Sequence, residues 1–346
     1  VTPESTPLQW RYSSDFLGES SPTVVDGTVY VGASDSLHAI DASTGMRRWQ
    51  FQAEGSVKSS PAVVDGTVYV GSDDHRVYAI DAETGDETWR FETGQRVPTS
   101  PAIAGETVYV SSADDHVYAL DAATGDVTWE EPDHRPTDHP HSSPAISLAA
   151  GRMVCGSNDG YCYCWSFPEL EFQWRFATDP PASNDGEIKG PIATYDGAAF
   201  FGSWDFNVYR VDLETGEEDW RFETGDLSMT GPAIDPERDV VYMGSHDDHL
   251  YALDASTGEV EWRFRTGAPL TGCATVVGDR VLTGSQDSTL YALEAGSGEE
   301  VWRVDHDGWV TSAPRVVDGD VYYAERAPDP DDGETDGGGY KLVSAE

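Results

Sequence analysis

Eight tryptophans recur at a nearly even interval along this chain, and that interval constrains the fold more than any other feature. Trp10, Trp49, Trp89, Trp129, Trp174, Trp220, Trp262 and Trp302 are separated by 39, 40, 40, 45, 46, 42 and 40 residues. Each closes a copy of one motif, written most fully at 60–94 as SPAVVDGTVYVGSDDHRVYAIDAETGDETWRFETG. Self-similarity at a period near 40 means one supersecondary unit repeated. Such a unit is too small to bury its own apolar face and must stack on its copies.

Within a repeat the pattern is strand-like throughout. The runs starting at Pro61, Thr67, Val77 and Thr88 are rich in β-branched and aromatic residues, and turn signals (Asp65-Gly66, Ser72 to Asp74, Thr84-Gly85) separate them. Four short strands and three turns consume about 40 residues, so each repeat predicts a four-stranded antiparallel meander, the blade of a β-propeller. No segment has a sustained helical apolar face. Seven repeats carry their own tryptophan strand. After Trp302 the chain supplies three more strand segments without one, while Leu8 to Tyr12 is an outer strand with no inner partners. Joining the two completes an eighth blade and removes two open sheet edges. The expectation is an all-β, eight-bladed propeller forming one domain over 1–346. Residues 1–7 are read as a linker, 8–12 as the closing strand and 325–340 as an acidic loop insertion.

The stretches AIDAETGDETW at 79–89, ALDAATGDVTW at 119–129 and ALDASTGEVEW at 252–262 resemble the tryptophan-docking repeat of PQQ-type propellers. That family includes quinoprotein alcohol dehydrogenases and the BamB lipoprotein of bacterial outer-membrane assembly. The resemblance implies that each ruler tryptophan packs on a Thr-Gly turn of the neighbouring blade. The role carries over to Trp49, Trp89, Trp129, Trp220 and Trp262. Blade 4 has no Thr-Gly turn before Trp174, so the contact of Trp174 is expected to differ. An enzymatic member would use PQQ and calcium. The alcohol-oxidising enzymes have long insertions and an adjacent cysteine pair, which this chain lacks, and the expectation is a non-catalytic binding or scaffold propeller. A PQQ-dependent dehydrogenase and a small-anion, sugar or peptide binder stay open as alternatives.

Acidic residues number 63 against 21 basic ones, a net charge of −42, with only three lysines, Lys58, Lys189 and Lys341. The acids are spread over every repeat. Such a surface repels nucleic acid and anionic membranes, which excludes both as expected partners. The composition resembles proteins of salt-accumulating halophilic archaea, where the Debye length falls to about 3 Å at 1 M salt. No apolar run is long enough to span a membrane as a helix. The segment Val1 to Pro7 reads as a linker left by a removed signal or lipid anchor. An extracellular or cell-surface location follows, with the cytoplasm of a salt-accumulating halophile as the alternative, and a monomer is expected.

Several constellations carry possible chemistry. An aspartate recurs between second and third strands as Asp35, Asp74, Asp114, Asp159, Asp205, Asp247 and Asp287. It is read as a turn former that bonds backbone two residues on, with a cation ring as the sharper alternative. Cys155, Cys162, Cys164 and Cys273 show no CxxC spacing and are read as buried thiols. Asp138, His139 and His141 form a candidate zinc set. Asp332, Glu334 and Asp336 approximate the start of a calcium loop, without the acidic twelfth position.

The remaining candidate site lies at the axial mouth, where each repeat enters its innermost strand. Aligned on the Ser-Pro or Gly-Pro step, this gives a column of Ser20, Ser59, Thr99, Ser142, Lys189, Thr230, Thr271 and Thr311. The preceding column contains Lys58 and His141, with Arg96 and Trp309 nearby. Lys189, Lys58, Arg96, His141 and Trp309 are therefore predicted to converge on a cationic funnel with one aromatic platform, suited to a small anionic or carboxylated ligand.

Overall fold

The computed structural model describes residues 8–14, 20–130, 136–179, 186–326 and 338–343. The linker 1–7 and the calcium candidates Asp332, Glu334 and Asp336 lie outside them. The described residues form eight antiparallel sheets and no helix. Blade 2 shows the pattern: Ala62–Val64, Thr67–Ser72, Arg76–Asp81 and Glu87–Glu92, paired in sequence order. The innermost strand is only three residues long. Asp65 and Gly66 both have positive φ, 49° and 76°, the conformation a two-residue hairpin turn requires.

The two middle strands are buried on both faces, and the fourth alternates buried and exposed residues. This follows from stacking: each blade packs on two neighbours, so only its outer edge meets solvent. The core is accordingly eight clusters, each shared by adjacent blades. One joins Leu37 and Ala39 of blade 1 to Val68, Val70, Tyr78 and Ile80 of blade 2. Another joins Val29, Val31 and Ile40 of blade 1 to Tyr322 and Ala324 of blade 8. In blade 8, Leu8–Ser13 pairs with Gly338–Val343, which pairs with Asp320–Arg326. The acidic insertion is thus shorter than expected, because Glu325 and Arg326 still belong to one strand and Gly338, Gly339 and Tyr340 already to the next.

Every ruler tryptophan follows a register shift in its strand pairing, as between Ala79 and Ile80 opposite Trp89 and Glu87. A bulge bends a strand and re-aims its side chain. Here the indole meets the next blade. Trp49 Nε1 donates to Ala82 O (3.0 Å), Trp89 to Ala122 O (2.9 Å) and Trp262 to Ala295 O (2.9 Å). Trp10, Trp174 and Trp220 make the same bond to Ala42, Leu213 and Ala255. A Cβ placed on Gly85 would lie 2.8 Å from the Trp49 ring, so glycine is needed both for φ +80° and for the approach.

The expected exception moves by one blade. Trp174 is regular, because it reaches forward to Gly216 of blade 5. The turn lacking Thr-Gly lies in blade 4 and is faced by Trp129 of blade 3, which sits edge-on to Trp165 (6.1 Å, 78°) beside Phe167 and Leu170. For Trp302 the corresponding place in blade 8, between its third strand and Leu8–Ser13, falls in residues 344–346 and 1–7, outside the described residues.

Candidate functional site at the axial mouth

The recurrent aspartates are latches. In blades 2 to 7 each accepts a tyrosine hydroxyl from its own blade and a backbone N–H from the connection entering that blade. For Asp247 Oδ2 the donors are Tyr251 OH (2.6 Å) and Gly225 N (2.7 Å), while Oδ1 takes His249 N (3.1 Å) two residues on. Asp74, Asp114, Asp159, Asp205 and Asp287 repeat the double contact. Lone pairs spent in this way explain the residue without a cation. Blade 1 differs: its turn is shorter, and His38 Nδ1 pairs with Tyr12 OH at 2.8 Å.

Around the axis the connections have a register that corrects the sequence alignment. Val97, Ile188, Leu270 and Val310 donate backbone N–H to Ser72, Ser157, Ser245 and Ser285, respectively, so these residues are equivalent. The next position in each blade is Lys58, Pro98, His141, Lys189, Met229, Thr271 and Thr311. All seven line one axial cavity of about 280 Å³. Lys189 thus shares its column with Lys58 and His141, not with the hydroxyls. The alignment slipped by one in blades 5, 7 and 8: blades 5 and 7 have Gly190 and Gly272 where others have Ser or Thr, and in blade 8 the hydroxyl of that column is Ser312, not Thr311. The true hydroxyl column is structural: Ser59 Oγ accepts from Gly71 N and donates to Gly71 O, both at 2.9 Å. One position further, serines hand hydrogen bonds around the axis, Ala313 N to Ser21 Oγ, Ser21 N to Ser60 Oγ, Ser60 N to Ser100 Oγ and Ser100 N to Ser143 Oγ. Pro191 interrupts the relay.

The cavity is electrically lopsided. Lys58, Arg96, His141 and Lys189 line the arc of blades 2 to 5, and Met229, Thr271, Cys273 and Thr311 the opposite arc. Lys58 pairs with Asp73 at 3.1 Å. Lys189 pairs with Glu187 and lies 3.5 Å from the centroid of Trp204. Arg96 is exposed and has no ion pair among the described residues. Burial, then the charges of Lys189 and Arg96, push the His141 pKa down, so this imidazole is neutral. Three buried polar atoms on the wall, His141 Nδ1, Thr271 Oγ1 and Asp73 Oδ1, make no hydrogen bond. Asn158 Oδ1 and His246 Nε2, on loops of the same face, are likewise unsatisfied. Burying such atoms costs about 1–3 kcal/mol each unless something else supplies the bond.

Trp309 is not part of this wall; it lies on a two-residue strand opposite Arg326. The indole that meets a lysine is Trp204. A signal for it existed: Trp165, Trp204 and Trp309 are the three tryptophans off the ruler. The zinc set is also rearranged. His141 faces the axis, while Asp138 and His139 sit with Asp115 of blade 3. The cysteines make no common set: Cys155 packs toward blade 3, and Cys162 and Cys164 toward blade 5. Burial raises all four thiol pKa values, Cys155 and Cys164 to about 12.

The family model described as outer membrane protein assembly factor BamB, built on PQQ-type repeats, matches residues 36–160, 204–276 and 249–336. The chain belongs to this family. Among solved structures it is similar to BamB from Moraxella catarrhalis (19% identity, TM-score 0.78), covering 97% of this chain and 99% of that one. It is also similar to quinohemoprotein alcohol dehydrogenase from Comamonas testosteroni (18% identity, TM-score 0.80), covering 98% and 77%. A third is the computationally designed Ika8 protein (17% identity, TM-score 0.80), covering 96% and 97%. At these identities the likeness establishes the eight-bladed fold alone. Comparison with curated proteins returns no match. No helix among the described residues is long and apolar enough to cross a membrane.

Proposed function

We propose that this BamB-type propeller is a non-catalytic binding protein that holds a small carboxylated or otherwise anionic ligand in its axial mouth, at the cell surface or secreted in a halophile. The observation that carries the reading is the basic arc. In a chain with 63 acids and 21 bases, Lys58, Arg96 and Lys189 share one cavity wall with the neutral His141, and Arg96 has no carboxylate partner among the described residues. A guanidinium is suited to a carboxylate because its planar fork makes two parallel bonds. Trp204 backs the Lys189 ammonium without lining the cavity, and His141 Nδ1 and Thr271 Oγ1 add unspent polar atoms. The volume of about 280 Å³ falls just below the range of roughly 300–1,000 Å³ typical of ligand pockets, which favours a small metabolite over a peptide.

A calcium-assisted quinone does not fit this donor set. Calcium takes about six to eight oxygens, and the described wall offers one carboxylate, Asp73, already held by Lys58 at 3.1 Å. The one thiol on the wall, Cys273 Sγ, accepts Gly231 N at 3.0 Å.

The test is native mass spectrometry of the purified protein for a co-purifying small molecule, followed by calorimetry with citrate, succinate, benzoate, sulfate and phosphate. Arg96→Ala and Lys189→Met should each weaken binding of the best anion about tenfold or more, the loss of one charge-assisted bond. The melting temperature should stay nearly constant. Saturable binding that both variants leave unchanged, or no binding of any anion tested, overturns the reading.

A further inference from the structure

The connection entering blade 4 carries a second cluster, distinct from the axial cavity. Asp138 and His139 belong to that connection, and Asp115 sits at the tip of the turn between the second and third strands of blade 3, with φ +70°. His139 Nδ1 is buried and makes no hydrogen bond. It lies 3.5 Å from Asp115 Oδ1 and 3.7 Å from Asp138 Oδ1, and the three ligand atoms fall within 4.8 Å of one another. The Asp138 carboxylate also accepts the His139 backbone N–H at 2.7 Å, which orients it toward the ring. Zinc bonds of about 2.0–2.1 Å in tetrahedral geometry place neighbouring donors roughly 3.4 Å apart. Two edges of that figure are therefore already present, and the third, between the two carboxylates, is no longer than 4.8 Å.

The repeat supplies an internal control. Backbone bonds make His139 the equivalent of Ser56, Arg96, Glu187, Leu227 and Pro269. The left-handed turn position of Asp115 is occupied by His75, Phe206, Asp248 and Ser288 in blades 2, 5, 6 and 7. Among the described residues no other seam combines a histidine in the connection with an aspartate at the turn. A general acidic surface or a turn requirement would act on every blade alike and does not account for this trio. His141, two residues on, faces the axis, so the sequence-adjacent set is not the spatial one.

We propose that Asp115, Asp138 and His139 bind a first-row divalent cation at the seam of blades 3 and 4, one nitrogen and two carboxylate ligands with water completing the shell. This donor set suits zinc or cobalt(II) better than calcium, which prefers oxygen alone. The metal-stripped protein should be titrated with zinc chloride by calorimetry and with cobalt chloride by visible absorption. Potassium chloride at about 2 M suppresses diffuse binding to the acidic surface. The expected result is one equivalent of zinc, a cobalt spectrum of low coordination number, and a higher melting temperature when zinc is bound. Asp115→Asn and His139→Gln should each lower zinc affinity about tenfold or more, whereas Asp86→Asn, at an exposed acid far from the trio, and Lys189→Met should leave it unchanged. Melting each variant without metal shows that it is folded. The absence of a one-to-one site below millimolar zinc, or a site that survives in both trio variants, overturns the proposal.

Discussion

At the residue scale, an aspartate that looks like a metal ring in one dimension proves to be a joint. Asp247 spends one oxygen on Tyr251 OH and Gly225 N and the other on His249 N. Burial, then the carboxylate, raises the Tyr251 pKa. Asp247→Ala should cost about 2–4 kcal/mol, because three donors lose one acceptor, and Tyr251→Phe about 1 kcal/mol; chemical denaturation measures both. Equal costs would show that the inter-blade N–H adds nothing. His38, which replaces the latch tyrosine in blade 1, brings a pH dependence. Burial, then Arg47, lowers its pKa to about 4, with Asp35 opposing. An unfolded histidine titrates near 6.5, so between about 6.5 and 4 the unfolded chain binds the extra proton. The His38 contribution is intact above that window and is lost as pH falls through it. His38→Gln, which keeps a partner for Tyr12, should flatten the acid limb relative to wild type between pH 7.5 and pH 4.5, roughly the two ends of that window. Parallel curves would refute this assignment.

At the scale of the element, the turn and the bulge cooperate. The bulge turns the indole outward from its own sheet, and the glycine of the next blade leaves room for it. Gly66 and Gly125 have the same φ of 76°, but a Cβ on Gly66 meets nothing within 4 Å, whereas one on Gly125 would lie 2.6 Å from Trp89. Gly66→Ala should therefore cost about 1 kcal/mol for the left-handed conformation alone. Gly125→Ala should cost roughly 1–3 kcal/mol more, because the blade must move off the ring. The difference in denaturation free energy isolates the tryptophan contact, and a difference near zero would mean that the contact is slack. Blade 4 shows how the repeat tolerates loss of this turn: Trp165, Phe167 and Leu170 fill the space beside Trp129.

For the whole molecule, closure and charge matter most. Removing Leu8–Ser14 deletes the outer strand of blade 8, the Trp10 bond to Ala42 O, and Arg11, which lies 2.8 Å from the buried Glu325. Stripping a partner from a buried carboxylate costs about 3–5 kcal/mol, so the truncated protein should melt well below the full chain; an unchanged melt would mean that the strand contributes little. With a net charge of −42, stability should also rise with salt as self-repulsion is screened. Melting temperatures in about 0.1 M and about 2 M potassium chloride test this, and a flat response would count against salt adaptation.

The sequence by itself determined the period, the strand count and the eight blades, because each rests on local rules. Alternation, turn chemistry and the tryptophan spacing are written at separations shorter than one repeat. It also brought Lys58, His141 and Lys189 to one mouth, since a position shared by all repeats in a ring faces the axis in every blade, whereas Arg96 reaches the same cavity from the column of His139 and Glu187. Only the tertiary structure decided which residues share a column. The entry to a blade is set by backbone bonds across a seam, as from Ile188 N to Ser157 O, and Gly190 and Gly272 conceal that register from an alignment of residue types. The same limit replaced Trp309 with Trp204 and exchanged His141 for Asp115 beside Asp138 and His139. Such neighbours come from different blades, and their approach depends on how far one sheet turns against the next, which no single repeat encodes.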